Sequence, residues 1–150
     1  MMKANLSLPM SVKRLIPHRP PLLLVDRLLE FKDQSGLIEA TVMSDNILLC
    51  DDGGIDQIAM AELIAQSYAA VKGYDDLLHD KPVKKGFLVG IRKIHFNYRA
   101  FVGDRLLINV STIASIGGFT VVEGKVMHDD DVIASGTIKL WLPEDAQPQT

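Results

Sequence analysis

Glu62 is the residue whose placement asks most for a chemical explanation, because it interrupts an otherwise apolar run over residues 58–71. An ionised carboxylate in apolar surroundings is costly unless it is neutralised or given a dedicated partner. Gln66 stands four residues later, which on a helix is the same face one turn on, within hydrogen-bonding reach. A carboxylate so placed can act as a general acid, a general base or a water-orienting group. The structural alternative is that Glu62 and Gln66 look out through a gap in the sheet or across a subunit interface.

His18 is the second candidate. It lies in Pro17-His18-Arg19-Pro20-Pro21, a loop stiffened by three prolines directly before an apolar segment. Such a histidine serves either as a structural hydrogen-bonder or as a base. His79, His95 and His128 fall beside aspartates or on the polar side of a strand, where solvent exposure accounts for them. No His or Cys pair has zinc-ligand spacing, and phosphate-binding glycine loops and the nucleophile-elbow serine are absent, so neither a metal nor an organic cofactor is expected. Gly53-Gly54 precedes the apolar run, and amides at a helix start can hold a carbonyl oxygen, which makes Gly54 a candidate binding residue. A glycine pair is equally an ordinary turn. Cys50 has no cysteine to pair with, which fits a reducing cytoplasm, and it reads as a core or loop residue.

These residues need elements to hold them. The run over residues 56–71 reads as one long helix, with Asp56 as its cap and Gly73 as its stop. It is apolar almost all round, so the rest of the domain is expected to enclose it. A short amphipathic helix is expected over 11–16, ended by Pro17, and a hairpin of strands over 22–31 and 37–43 with Gly36 between them. Ile94, Phe96 and Tyr98 alternate with Lys93, His95 and Asn97, the pattern of a half-buried strand. Further strands are expected over 106–113, 119–127 and 132–142, with turns at Gly117-Gly118 and Asp129-Asp130-Asp131, and short connections should make consecutive strands antiparallel neighbours. The fold class is therefore α+β: a curved antiparallel sheet of about five to six strands wrapped around one long central helix.

Composition narrows the field. Lys plus Arg number 16 against 19 Asp plus Glu, a formal charge of −3, and 47% of residues are hydrophobic. Such a chain folds as one domain, here 1–150 with residues 143–150 as a frayed tail, and burial at this length needs no disulfide or metal staple. No basic stripe marks a nucleic-acid binder, since the densest basic stretch, 81–93, alternates with apolar residues and reads as a loop entering a strand. No apolar run reaches the roughly 18 residues of a membrane span, and residues 1–10 lack the apolar core of a secretory signal.

Three segments of this sequence resemble the hotdog-fold 3-hydroxyacyl-acyl-carrier-protein dehydratases. Residues 15–30 are close to the Pro-His-Arg…Leu-Leu-Val-Asp-Arg opening of that family. Glu62-Leu-Ile-Ala-Gln66 is similar to its Glu-x-x-Ala-Gln helix, and Gly90-Ile91, Phe96 and Gly103-Asp104 fall at its spacing. The resemblance spans residues 15 to about 110 and implies a lyase that removes water from a 3-hydroxyacyl thioester carried on the phosphopantetheine of an acyl carrier protein. In that family a histidine takes the C2 proton, a helix carboxylate assists hydroxyl departure and a helix-start amide holds the thioester carbonyl. By position Glu62 inherits the carboxylate role, and the amide would come from between Gly53 and Ile58.

The family's histidine lies in a Gly-His-Phe-Pro motif before the central helix, and residues 46–54 contain no histidine. Either His18 is recruited or the base comes from another chain, because the family builds each site across a dimer interface. A homodimer is one expectation. A heterodimer with a His-bearing hotdog paralogue is the other, similar to the divergent dehydratase pairs of aryl-polyene and type II polyketide clusters. A hotdog acyl thioesterase and a catalytically silent subunit are the alternatives.

Overall fold

The computed structural model describes residues 6–82 and 86–143. The expected tail, beyond Pro143, and the first five residues lie outside the described residues. After β1 (Met10–Ser11) comes a single 3-10 turn, Val12–Arg14, where a helix over 11–16 was expected. Its amphipathic pattern is real, since Val12, Leu15 and Ile16 are buried, but the turn stops after Leu15 and Ile16 have both bonded the Val12 carbonyl.

A hairpin follows, β2 (Arg27–Lys32) and β3 (Ser35–Thr41). Two boundaries differ from expectation. The turn is at Asp33-Gln34, with Asp33 at φ 54°, and Gly36 lies inside β3. Strand β2 begins five residues after Leu22, because the backbone of Leu22 and Leu24 bonds the Gln66 side chain instead of a ladder.

Helix α1 runs Ala59–Leu78, longer and later than the expected 56–71. Asp56 caps the turn before the helix, accepting from Ile58 N–H at 2.9 Å, and no side chain caps α1 itself. Gly73 is no stop: it is buried mid-helix, where a Cβ would lie 2.0 Å from the Leu15 carbonyl oxygen, so its lack of a side chain lets α1 touch the 3-10 segment. Gly124 plays the same part on the sheet, since a Cβ there would meet Ile64 at 2.6 Å.

The remaining strands are β4 (Phe87–Phe96), β5 (Arg105–Ile116), β6 (Phe119–His128) and β7 (Asp131–Trp141). Seven antiparallel strands form one sheet in the order β1-β2-β3-β5-β6-β7-β4. Ile38, Ile108, Val122 and Ile138, all fully buried, share one hydrophobic core with Met60, Ile64 and Val71 of the enclosed helix. This is the expected helix-in-sheet arrangement. One expectation about neighbours fails: β4 and β5 are consecutive but not paired, and β4 pairs with β7 at the far edge. The connection after β4 instead crosses to the loop before α1, where Ile55 N–H bonds Ala100 O and Val102 N–H bonds Gly53 O. β4 therefore has an open edge, and its Phe96 and the following Tyr98 are exposed, not half-buried. Among the described residues no helix is long and apolar enough to cross a membrane.

Candidate active site

Glu62 occupies the first turn of α1, and Gln66 stands one turn later, fully buried. The Gln66 amide makes three hydrogen bonds, with both of its N–H donors in use. Its nitrogen donates to Glu62 Oε1 at 2.9 Å and to Leu22 O at 2.8 Å, while its oxygen accepts from Leu24 N–H at 2.8 Å. These partners fix the amide's orientation, because the backbone N–H needs the oxygen and the backbone carbonyl needs the nitrogen. Gln66 thus does two things at once: it holds the Glu62 carboxylate in place and ties the segment after Pro21 to the helix.

That tie brings His18 to the same spot. His18, Glu62, Gln66, Leu88 and Leu140 line one cavity of about 40 Å³. The backbone around His18 is held by Arg19, whose guanidinium donates to the carbonyls of Ile16, His18 and Lys13. The imidazole Nδ1 is buried and has no hydrogen-bond partner among the described residues. His79, His95 and His128 lie elsewhere and exposed or partly so, as expected. Among the described residues no cluster of three or more His, Cys, Asp or Glu side chains could hold a metal ion.

Gly54 is not brought to the cavity. Its N–H donates to Asp52 Oδ1 at 3.0 Å, and a Cβ on it would strike the Arg99 guanidinium at 2.5 Å. Asp52 and Arg99 form a two-pronged ion pair, with Arg99 Nη2 at 3.0 Å from Oδ1. Hydrogen bonds from Arg99 and from Gly54 N–H hold the Asp52 carboxyl down at about 2, so it stays charged at any ordinary pH. In the single chain the Gly54 N–H is taken up within its own loop.

Most other amides between Gly53 and Ile58 are committed too. Gly53 donates to Cys50 O, Ile55 to Ala100 O, Asp56 to Leu48 O and Ile58 to Asp56 Oδ1. Among the described residues of that stretch, Gln57 alone has an N–H without an acceptor. No side-chain signal could have singled it out, because the free group is backbone.

A larger cleft of about 210 Å³ lies between Lys13, Pro21, Asp26, Thr41 and Asp45. It contains neither Glu62 nor His18, and its Asp26 already accepts from Thr41 N–H at 2.8 Å. Burial pushes the Asp26 carboxyl up. Chemistry points to the smaller cavity, which His18 and the helix carboxylate Glu62 both line.

The family described as ApeP-like, ApeP dehydratase, matches residues 10–150. The chain belongs to the ApeP-like dehydratase family. It is 32% identical over 136 residues to the 3-hydroxyacyl-[acyl-carrier-protein] dehydratase FabZ of Streptococcus pneumoniae, covering 85% of this chain and 92% of that one. FabZ of Streptococcus thermophilus is 31% identical over 134 residues with the same coverage. Among solved structures, the dehydratase heterocomplex ApeI:P from Xenorhabdus doucetiae has a chain that superposes with a TM-score of 0.83 at 21% identity, covering 91% of this chain and 93% of that one. A hypothetical thioesterase with coenzyme A from S. pneumoniae gives a TM-score of 0.59 at 13% identity, covering 77% and 84%. The structural likenesses establish the hotdog fold. Membership of the ApeP-like family agrees with the resemblance carried by residues 15–30, 62–66 and 90–104.

Proposed function

We propose that this ApeP-like chain supplies the carboxylate half of a composite dehydratase site, converting 3-hydroxyacyl thioesters on acyl carrier protein to 2-enoyl thioesters with a second hotdog chain. The observation that carries the reading is the Glu62 carboxylate, clamped by Gln66 in the first turn of an enclosed helix. A base takes the proton from C2, the C3–O bond breaks, and the departing hydroxyl takes the proton of the Glu62 carboxyl and leaves as water. The electron pair of the C2–H bond becomes the C2=C3 double bond. Charge building on the thioester oxygen would be met by a backbone N–H just before α1, and over residues 53–58 the N–H of Gln57 is the one left without an acceptor among the described residues. The reaction uses no metal and no cofactor beyond the carrier's phosphopantetheine.

The base belongs to the second chain. Residues 46–54 hold no histidine, and the 40 Å³ cavity is far below the roughly 300–1,000 Å³ of ordinary ligand sites. Space for an acyl chain has to form between this cavity and a partner, and the cavity wall at Leu88 already belongs to the open edge strand β4. A second reading rests on the buried, unpartnered Nδ1 of His18, which would make His18 the base within this chain.

Mass spectrometry of a 3-hydroxyacyl carrier protein separates the two. With the chain alone no loss of water is expected. With a His-bearing hotdog chain added, water is lost, and Glu62→Gln, which keeps the hydrogen bond from Gln66 but not the acid, lowers the rate by about 10²–10⁴-fold. His18→Ala leaves that rate within a few-fold. Water loss by the lone chain that disappears in His18→Ala supports the second reading, and full activity of Glu62→Gln in the mixed complex refutes both. A thioesterase would show itself in the same spectra as loss of the whole acyl group.

A further inference from the structure

The open edge of β4 carries a charge pattern that the dehydration chemistry does not use. The strand pairs with β7 on one side only, and Phe87, Val89 and Ile91 are 46%, 51% and 50% exposed along it. A long apolar edge is a template for pairing with another strand. At its middle stand Arg92 and Lys93, both exposed, and β4 contains no acidic residue. Arg92 sits at a register irregularity, opposite no residue of β7, since Ile91 pairs with Ile138 and Lys93 with Thr137. Among the described residues neither cation has an ion-pair partner. Glu123 lines the same shallow outer groove as Lys93 without bonding it.

Two copies of this strand could pair only antiparallel about a twofold axis, so that the two residue numbers at each opposed position have a constant sum. Full overlap of Phe87–Phe96 puts Ile91 opposite Arg92 and sets Arg92 of one copy diagonally from Lys93 of the other, once on each face of the sheet. A slip to the next sum puts Arg92 opposite Arg92, and one more puts Arg92 opposite Lys93 twice. Each of these registers near full overlap gathers four cations around the axis with no carboxylate on either strand. Like charges placed so are destabilising, and opposite charges in the same places are stabilising.

We infer that Arg92 and Lys93 select the partner of β4 by charge: the edge accepts a second hotdog chain bearing acidic side chains opposite them and disfavours a second copy of itself. The inference rests on the reading that this chain works beside another hotdog chain, and it names what that chain must carry. Continuity supports the location, because Leu88 belongs both to this edge and to the wall of the Glu62 cavity.

The test needs only this chain. Wild type, the double reversal Arg92→Glu/Lys93→Glu, and their equimolar mixture are compared by sedimentation velocity and native mass spectrometry. Wild type and reversal alone each gather like charges, whereas the mixture pairs opposite ones. The mixture should associate at least about tenfold more tightly than either chain alone. The difference should shrink on going from about 0.1 M to about 1 M salt, where the screening length falls from about 10 to about 3 Å. The neutral pair Arg92→Ser/Lys93→Ser should self-associate more tightly than wild type, which covers the case of a reversal that folds poorly. Wild type pairing with itself as tightly as the mixture, or no association in any combination, overturns the inference. No catalytic rate enters the readout, so a failed dehydration assay and a failed charge swap are separate results.

Discussion

Replacing Gln66 by leucine removes three hydrogen bonds while keeping nearly the same volume in a site that is 1% exposed. Two of the orphaned partners are backbone groups, the N–H of Leu24 and the carbonyl of Leu22. Leaving buried polar groups unsatisfied costs about 1–3 kcal/mol each. The added apolar burial returns about 1 kcal/mol. A net loss of about 1–5 kcal/mol is expected, a large share of the roughly 5–15 kcal/mol that holds a domain folded. Gln66→Glu makes a sharper comparison. Its carboxylate can accept from Leu24 N–H, but it cannot donate to Leu22 O, and it would face the Glu62 oxygen that now lies 2.9 Å from the amide nitrogen. Two carboxylates that close cannot both stay ionised, so the new group's carboxyl is raised in the folded state. The sign follows: the folded form of Gln66→Glu gains as pH falls and loses stability as pH rises through that raised value. Urea unfolding at about pH 5 and about pH 7 should show recovery at the lower pH for Gln66→Glu beyond any change in wild type, and none for Gln66→Leu. A loss below about 0.5 kcal/mol in Gln66→Leu would refute the claim that this amide ties the His18 segment to α1.

Gly73→Ala would be mildly stabilising, by up to about 1 kcal/mol, if Gly73 were an ordinary helical glycine. With the Leu15 carbonyl 2.0 Å from the added carbon, it should instead cost about 1–3 kcal/mol in urea unfolding. The acid limb of stability should divide between two carboxylates of opposite sign. Burial pushes the Glu39 carboxyl up, but hydrogen bonds from Arg105 and Arg27 outweigh it and hold the group below its usual 4.5. Its contribution is therefore present above that value and lost as pH falls further, and Glu39→Gln should flatten unfolding curves between about pH 5 and pH 2. Asp26 is raised by burial, so protonation favours the folded form, and Asp26→Asn should gain stability at pH 7 relative to pH 3.

What could be read in the sequence was what a residue type reveals about its surroundings. Alternation located β5, β6 and β7 to within a few residues, because each has one buried face, and the polar turn residues marked their ends. Glu62 and Gln66 stood out as polar residues where helix periodicity demanded apolar ones, and the structure joins them by a hydrogen bond. Gly36 and Gly73 misled for a common physical reason. Glycine marks either a turn or a close approach, and only the packed neighbours, β2 and α1 around Gly36 or Leu15 at Gly73, say which. The Asp52–Arg99 pair spans 47 residues and left no local trace, and the free N–H of Gln57 is independent of its side chain.

The most instructive mismatch is β4. Its alternating residues promised a covered face, yet Phe96 and Tyr98 are 39% and 61% exposed in the single chain. Apolar side chains on an edge strand are an aggregation hazard that a lone domain ordinarily blunts with charges, proline or short length. Here the strand is ten residues long and its two charges share one sign. On the charge-selection proposal they guard the edge against a second copy of this chain and leave it open to an oppositely charged one. The hydrophobic pattern of β4 suits a buried strand, and on the proposed reading a partner chain supplies the layer that buries it, at the boundary where the Glu62 cavity of about 40 Å³ falls short of an ordinary ligand site.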